Sequence, residues 1–411
     1  MKFAEFSLHE SILKAIAEER FHTATLVQQK VIPFVLAKKN VVVSAQTGTG
    51  KTAAFALPII QLLSEKLVEE KDVKKIKSLI ITPTRELAIQ ILEKFTSYSK
   101  YTTLTATAVF GGVSLAPQKE LLAKGVDILI ATPGRLIDLQ LQGNIDLSSI
   151  DIFVLDEADL MLDMGFIKDV KKIEAFCPKK KQTLLFSATI PEKISQLADT
   201  TLKNPVRIEI HPENTTSKNI GQLLYYLPKK NKTDLCLHLL RNTINGKIII
   251  FRRTKFGVDK LEKSLLKNGY KVTSIHGDKT QSIRNKAIEN FKNQKSSILI
   301  ATDVAARGID IVNVDAIINF DIPNIPETYV HRIGRTGRAG KSGIAFSFCS
   351  PDENAYIKII EDLIEKPIKV IHDHPYPIAK PTHKKKQPNT ISKHKKGRKS
   401  AASKKKKKRW Y

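Results

Sequence analysis

Eight residues hold the densest chemistry in the chain: Ala45-Gln46-Thr47-Gly48-Thr49-Gly50-Lys51-Thr52, between the β-branched run Val41-Val42-Val43 and the helix-like Ala53-Ala54-Phe55-Ala56-Leu57. Glycines at this spacing let successive backbone N–H groups turn inward around an anion. Lys51 offers a point charge to β- and γ-phosphates, and the Thr52 hydroxyl can ligate Mg²⁺. Ala45 stands where the usual pattern has its first glycine. A Gly-rich strand-to-helix turn that binds nothing looks the same, so the reading depends on its companions. Ile152-Phe153-Val154-Leu155 runs into Asp156-Glu157, a buried strand ending in paired carboxylates. Asp156 is expected to hold Mg²⁺ through water and Glu157 to orient and deprotonate an attacking water, where two acids alone would be a solvated turn. A third constellation, His331-Arg332-Ile333-Gly334-Arg335-Thr336-Gly337-Arg338, places three arginines on a glycine-interrupted stretch. Salt bridges at a loop are the plain alternative, but arginines suit the charge that develops on a γ-phosphoryl group, contributing roughly 10³ to 10⁵ in rate. Gln28 lies about twenty residues before the loop, and its amide can match adenine's donor and acceptor.

These groups need scaffolds. Short apolar runs bounded by turns alternate with helical patterns: Ser78 to Thr82, Thr105 to Phe110, Ile128 to Ala131, Ile152 to Asp156 and Thr183 to Phe186. The rhythm predicts an α/β fold with a mostly parallel sheet. Pro205, Pro212 and Asn214-Thr215-Thr216-Ser217 interrupt it, and it restarts with Lys247 to Phe251, Val272 to Ile275, Ile298 to Ala301, Ala316 to Phe320 and Ile344 to Phe348. We expect a first domain over 1–205, a linker over 206–220, a second domain without a phosphate loop over 221–372, and a Lys-rich disordered tail over 373–411. Because the arginines lie in the second domain, hydrolysis requires closure, with the linker as hinge and ATP as the closing ligand. Near the start, Ser7-Leu8-His9-Glu10 fits a capping box opening a helix with Leu8, Ile12, Ala15 and Ile16 on its apolar face.

Charge points to a polyanionic partner. The 411 residues carry a net charge of +27, and residues 380–411 hold 15 Lys and Arg without an acid. A tail of this kind reads as a nucleic-acid tether, with solubility or nuclear targeting as alternatives. Three distant cysteines, Cys177, Cys236 and Cys349, predict reduced core thiols rather than a zinc site. Glutamates in the first twenty residues argue against a signal peptide, and no apolar stretch reaches membrane-spanning length, so the expected compartment is the cytoplasm.

Taken in order, Gln28, the Ala45 to Thr52 loop, Pro83-Thr84-Arg85-Glu86-Leu87-Ala88, Gly111-Gly112, Thr132-Pro133-Gly134-Arg135, Asp156-Glu157-Ala158-Asp159, Ser187-Ala188-Thr189, Ala301 to Asp310 and His331 to Arg338 closely resemble the DEAD-box RNA helicases. Val109 to Ser114 and Met161 to Phe166 look most like the bacterial RhlE-type branch. The resemblance implies two tandem RecA-like domains and an RNA-dependent ATPase using ATP and Mg²⁺. It would separate short RNA duplexes locally, by bending a bound strand, without processive translocation. Gln28, with Thr25 and Phe3, would read adenine; Gly308 and Asp310 would close the second domain on the nucleotide; Arg335 and Arg338 would be the fingers. Asp159, Ser187, Thr189 and His331 would couple hydrolysis to RNA. RNA contacts would fall on Thr84, Arg85, Gly112, Thr132, Gly134 and Arg135, with Arg252, Thr254, Gly277, Arg284, Thr302 and Asp303 near the path in the second domain. Such glycines and helix-initiating residues present N–H groups to phosphates and read no bases. Arg20, Ala24 and Leu26 depart from the family's usual glycine and prolines, and Arg252-Arg253 adds charge that predicts a stronger phosphate contact. Ribosome assembly and RNA turnover, with their proteins as partners, are typical of similar bacterial chains. A non-catalytic RNA clamp and a DNA helicase are the rival readings; intact acidic and arginine motifs favour the enzyme.

Overall fold

Fourteen strands account for the architecture among the described residues. In chain order they are β1 (Val41–Ser44), β2 (Ser78–Ile81), β3 (Ala106–Val109), β4 (Ile128–Ala131), β5 (Ile152–Leu155), β6 (Gln182–Ser187) and β7 (Val206–Glu209). The second set is β8 (Ile220–Tyr226), β9 (Ile248–Arg252), β10 (Val272–Ile275), β11 (Ile298–Thr302), β12 (Ala316–Asn319), β13 (Gly343–Cys349) and β14 (Lys369–Val370). The computed structural model describes residues 1–46, 48–69, 75–210, 220–306, 309, 311, 314–337 and 342–378, with the backbone alone at 67–69. Thr47, Gly308, Asp310, Arg338 and the basic segment 380–411 therefore lie outside the described residues.

The strands form two seven-stranded sheets, ordered β3-β4-β2-β5-β6-β1-β7 and β10-β11-β9-β12-β13-β8-β14. The second order repeats the first strand for strand, and every ladder within them is parallel. This is the expected pair of RecA-like α/β units. Helices cover both faces, so central strands such as β4 (Ile-Leu-Ile-Ala) and β5 (Ile-Phe-Val-Leu) are buried at every position. Period-two alternation divides them between two cores: Val41, Val43, Ile80 and Ile130 face one, Val42, Leu79, Ile81 and Leu129 the other. In the second sheet Ile249 and Phe251 face one core and Ile248 and Ile250 the opposite one. Parallel strands send all their C-terminal ends to one edge, where crossover loops are free to carry chemistry.

Three expectations are corrected. The segment 206–220 is not linker throughout, because Val206–Glu209 pairs with Val41–Ser44 as the sheet's edge strand. Prolines mark turns, and here two of them bracket a short strand. β8 also went unread, since Gly221, Gln222 and the two tyrosines break its apolar run, yet it lies between β13 and β14. Ser7 does not cap the first long helix: it sits in left-handed conformation (φ 55°), and His9 caps Glu10–Glu18 by accepting from the Ser11 N–H. The apolar face of that helix is as expected, with Leu8, Ile12, Ala15 and Ile16 buried.

A buried ion pair ties the second unit together. Lys232, first residue of the helix after β8 and 1% exposed, donates to the Phe320 carbonyl (2.8 Å) and pairs with Glu353 (2.5 Å), with Asp321 at 3.9 Å. Glu353 also accepts from the Ser350 and Ile322 N–H groups and from Arg253, so its charge is fully partnered.

Arg20 occupies the position where the family usually has glycine, and it has φ 58°. Its N–H donates to Ala17 O and that of Phe21 to Ile16 O, the paired bonds of a Schellman helix end. Arg20→Gly is expected to stabilise the fold by about 0.5 to 1 kcal/mol, the relief of a left-handed backbone less glycine's unfolded-state entropy. A urea midpoint that fails to rise would refute this. Burial pushes the thiols of Cys177 up to about 11 and of Cys236 and Cys349 to about 12. Native protein at pH 8 should therefore react with a thiol reagent only slowly, and all three cysteines should react once it is unfolded.

Candidate functional site

The loop after β1 is shaped by two left-handed glycines, Gly48 (φ 84°) and Gly50 (φ 96°), and leads into the helix Lys51–Glu69, whose first N–H groups face the loop. Ala45 is buried and donates to Ser187 O at the end of β6. Thr49 Oγ1 donates to Gln46 O, closing the turn. Gln28 locks this loop to the N-terminal region. Its Oε1 accepts from the Thr25 N–H (2.8 Å), and its Nε2 donates to Gly50 O (3.2 Å). A Cβ at Gly50 would lie 2.4 Å from that Nε2. The amide thus holds cap and loop together, and its oxygen and nitrogen each retain capacity for a base. Phe3 does not join them: it is buried against Phe6, away from the cavity lining.

Lys51, first residue of its helix, is 5% exposed and pairs with Glu157 Oε1 at 3.1 Å. Burial opposes its protonation, but the charges of Glu157, Asp156 and Asp159 outweigh that and hold its pKa above the ordinary lysine value. Asp156, at the end of β5, is pushed up to about 7 by burial, reinforced by Glu157 and opposed by Lys51. Glu157 adopts φ 55°, a left-handed conformation costing of order 1 to 3 kcal/mol in a non-glycine residue. Arg335 of the second unit is buried, donates to Ile309 O (2.8 Å) and faces the same cavity of about 380 Å³ as Lys51, Thr52, Asp156 and Glu157. A buried ammonium, a glycine-turned loop and an arginine opposite fit a polyphosphate.

Next to it, Asp159 organises the chain after β6. Its N–H donates to Ser187 Oγ (3.0 Å), and its Oδ2 accepts from the Thr189 N–H and Oγ1 (3.2 Å each). Asp159 and Thr189 line a cleft of about 400 Å³ with Glu327 and His331 of the second unit. The four residues expected to couple the two activities therefore lie in one neighbourhood.

A third cleft, about 310 Å³, joins Thr84, Arg85, Thr132, Gly134 and Arg135 to Gly277 and Arg284. Thr84 and Thr132 are helix N-caps at the ends of β2 and β4. Gly112 (φ 73°) makes room for Arg85, since a Cβ there would be 2.1 Å from the guanidinium. Buried Glu86 bridges the units, accepting from Gln281 Nε2 (2.8 Å) and pairing with Arg284 (2.9 Å). Five expected contacts fall outside this cleft's lining: Gly112, which backs Arg85, and Arg252, Thr254, Thr302 and Asp303 of the second unit. Arg252 is drawn into an ion pair with Asp321 (2.9 Å) and lies 4.1 Å from the Phe320 ring centroid, so the expected stronger phosphate contact is not supported. Asp303 is gripped by Arg332 through bonds of 2.6 and 2.7 Å. Thr254 caps its own helix through the Gly257 N–H, and Thr302 ends β11.

The sequence pattern of the DEAD/DEAH box helicase family matches residues 25–197, and that of the helicase conserved C-terminal domain matches residues 231–340. The DEAD-box ATP-dependent RNA helicase RhpA of Helicobacter pylori (strain ATCC 700392 / 26695) is 42% identical over 368 residues, 90% of this chain and 73% of RhpA. The chain belongs to the DEAD-box RNA helicases. It is therefore an ATP-dependent enzyme of RNA remodelling. Two solved relatives frame this helicase. A DEAD box protein from Methanococcus jannaschii is 40% identical, covers 90% of this chain and 99% of its own, and gives a TM-score of 0.52. Dbp5 of S. cerevisiae bound to RNA and ADP BeF3 is 31% identical, covers 90% and 95%, and gives 0.80.

Two residues of the helicase site escaped sequence reading. Phe21, on the same loop as Thr25, lines the nucleotide cavity with Lys94 lying 6.0 Å from its ring centroid. Its place seven residues before Gln28 was the available signal. Glu86 stood within a quoted motif, but its partner is 198 residues further on. Gly112→Ala should displace Arg85 and lower the helicase's RNA affinity about tenfold, the worth of one charge-assisted hydrogen bond, while leaving ATP affinity unchanged. Equal RNA binding by the variant in a fluorescence titration would show that Arg85 makes no such contact.

Proposed function

We propose that closure of the two units around ATP and a single RNA strand separates short duplexes locally, and that the residues of the three clefts divide the work. The carrying observation is that Arg335 faces the cavity holding Lys51, Asp156 and Glu157, so a complete set of charges forms only from both units. Lys51 and Arg335 would hold the oxygens of the γ-phosphoryl group. Glu157 would orient the attacking water and take its proton as ATP and water become ADP and phosphate. Gln28 and Phe21 would hold the adenine, with the remaining amide valences supplying selectivity. Thr52 and Asp156 would hold Mg²⁺, which neutralises phosphate charge. Among the described residues no group of three His, Cys, Asp or Glu could hold a metal alone, so such an ion would be shared with the nucleotide.

Thr84, Arg85, Thr132, Gly134, Arg135 and Gly277 would fix the RNA backbone without reading bases. Asp159, Ser187, Thr189 and His331 would pass the state of one cleft to the other, and Arg338, Gly308 and Asp310 would complete the second unit's grip on the nucleotide. The basic tail would act as a tether, and the compartment would be the cytoplasm, in ribosome assembly or RNA turnover with the proteins of those processes. Val109 to Ser114 and Met161 to Phe166 support placement in an RhlE-type branch.

The test is steady-state ATP hydrolysis by the full chain with no nucleic acid, with single-stranded RNA and with matched DNA at one salt concentration. RNA should stimulate at least tenfold and DNA should not. Glu157→Gln should lower the stimulated rate by about 10² or more, in the range for loss of a general base, with ATP still bound. Stimulation by neither polymer would leave an RNA clamp as the better description.

A further inference from the structure

Phe256 is 75% exposed, more than any other large apolar side chain among the described residues. It stands in the first turn of the helix Lys255–Lys267, just past β9. The turn is pressed inward at Gly257, where a Cβ would meet the Arg252 guanidinium at 2.6 Å. Phe256, one residue earlier, is left facing out. A neighbour links it towards the nucleic-acid cleft: Lys255 Nζ lies 5.4 Å from the Phe256 ring centroid and 2.6 Å from Asp278, which follows the cleft residue Gly277 in the chain.

The cations around this ring are already engaged. Arg252 is paired with Asp321, Arg253 with Glu353 and Lys255 with Asp278, while the Thr254 hydroxyl accepts from the Gly257 N–H. What this edge adds beyond those paired charges is a π-face. We propose that Phe256 is a stacking platform for one unpaired base of the RNA strand as it leaves the cleft on the Gly277 side. This rests on the reading of that cleft as the RNA path. Stacking is tolerant of base identity, since every base has a π-face, so the contact adds affinity for single strands without adding sequence preference. It also favours a strand whose base is already unpaired over the same strand in a duplex.

The experiment uses the full chain, a non-hydrolysable ATP analogue and a fluorescein-labelled oligoadenylate, titrated by anisotropy at several salt concentrations. Phe256→Ala should weaken binding about 5- to 10-fold, Phe256→Tyr and Phe256→Trp should stay within about twofold of the parent, and Phe256→Leu should behave like Ala. The slope of log affinity against log salt should be the same for all, because stacking neutralises no phosphate. One abasic position in the oligonucleotide should erase the difference between parent and Phe256→Ala. Equal affinity of parent and Phe256→Ala would overturn the proposal, as would full rescue by Leu, which would mark an apolar docking point for protein. Failure of the parent itself to bind the oligonucleotide would instead remove the RNA reading of the cleft, and this inference with it.

Discussion

The constraint on which the active site depends is a buried charge imbalance. Lys51 is held below the surface facing Asp156, Glu157 and Asp159, with an ion pair to Glu157. Burying charges without full partnering is expensive, and removing either side of such a pair is worse. The cost is tolerable because the parallel sheet supplies it with stiff supports. Lys51 begins a helix fed by β1, while Asp156 and Glu157 end β5, and β6 runs between them in the sheet. The left-handed backbone of Glu157 belongs to the same economy, a strained residue held in place by packed neighbours where water must be activated.

The second requirement is that two separately folded units act as one. Glu86 does this with little material, taking a hydrogen bond from Gln281 and an ion pair from Arg284 across the boundary. It stands beside Arg85, so the residue that joins the units is the chain neighbour of one that faces the nucleic-acid cleft. On the nucleotide side Arg335 crosses in the same way. Asp159 is likewise bonded to Ser187 and Thr189, in a cleft that His331 of the second unit also lines.

What could be read from sequence was whatever is local. A glycine loop between a strand and a helix, two acids at the end of an apolar run, and strands buried on both faces announce themselves within about ten residues, the scale on which periodicity operates. What could not be read depends on partners far along the chain. Arg252 looks like a phosphate ligand until Asp321 and Phe320 are seen beside it, and Asp303 looks exposed until Arg332 closes on it. Phe3 and Phe21 are both aromatic residues ahead of Gln28; only tertiary packing decides that the first fills core and the second lines the cavity. β7 and β8 were lost because polar residues and prolines around an edge or interrupted strand resemble a linker.

The identical strand order of the two sheets gives them matching positions. Lys51 opens the helix after β1; at the corresponding place, Lys232 opens the helix after β8. Asp156 follows β5, and Asp321 comes just after the corresponding β12. In the second unit, however, the glycine loop is gone, and Glu353 sits against the lysine at 2.5 Å, an anion supplied by the chain itself. The pattern is that of two matched positions, one lysine lining an open cavity and the other closed off by the chain's own carboxylate. The closed pair, bonded also to the Phe320 carbonyl, is a fixed support within the half that presents Arg335 to the cavity of the first.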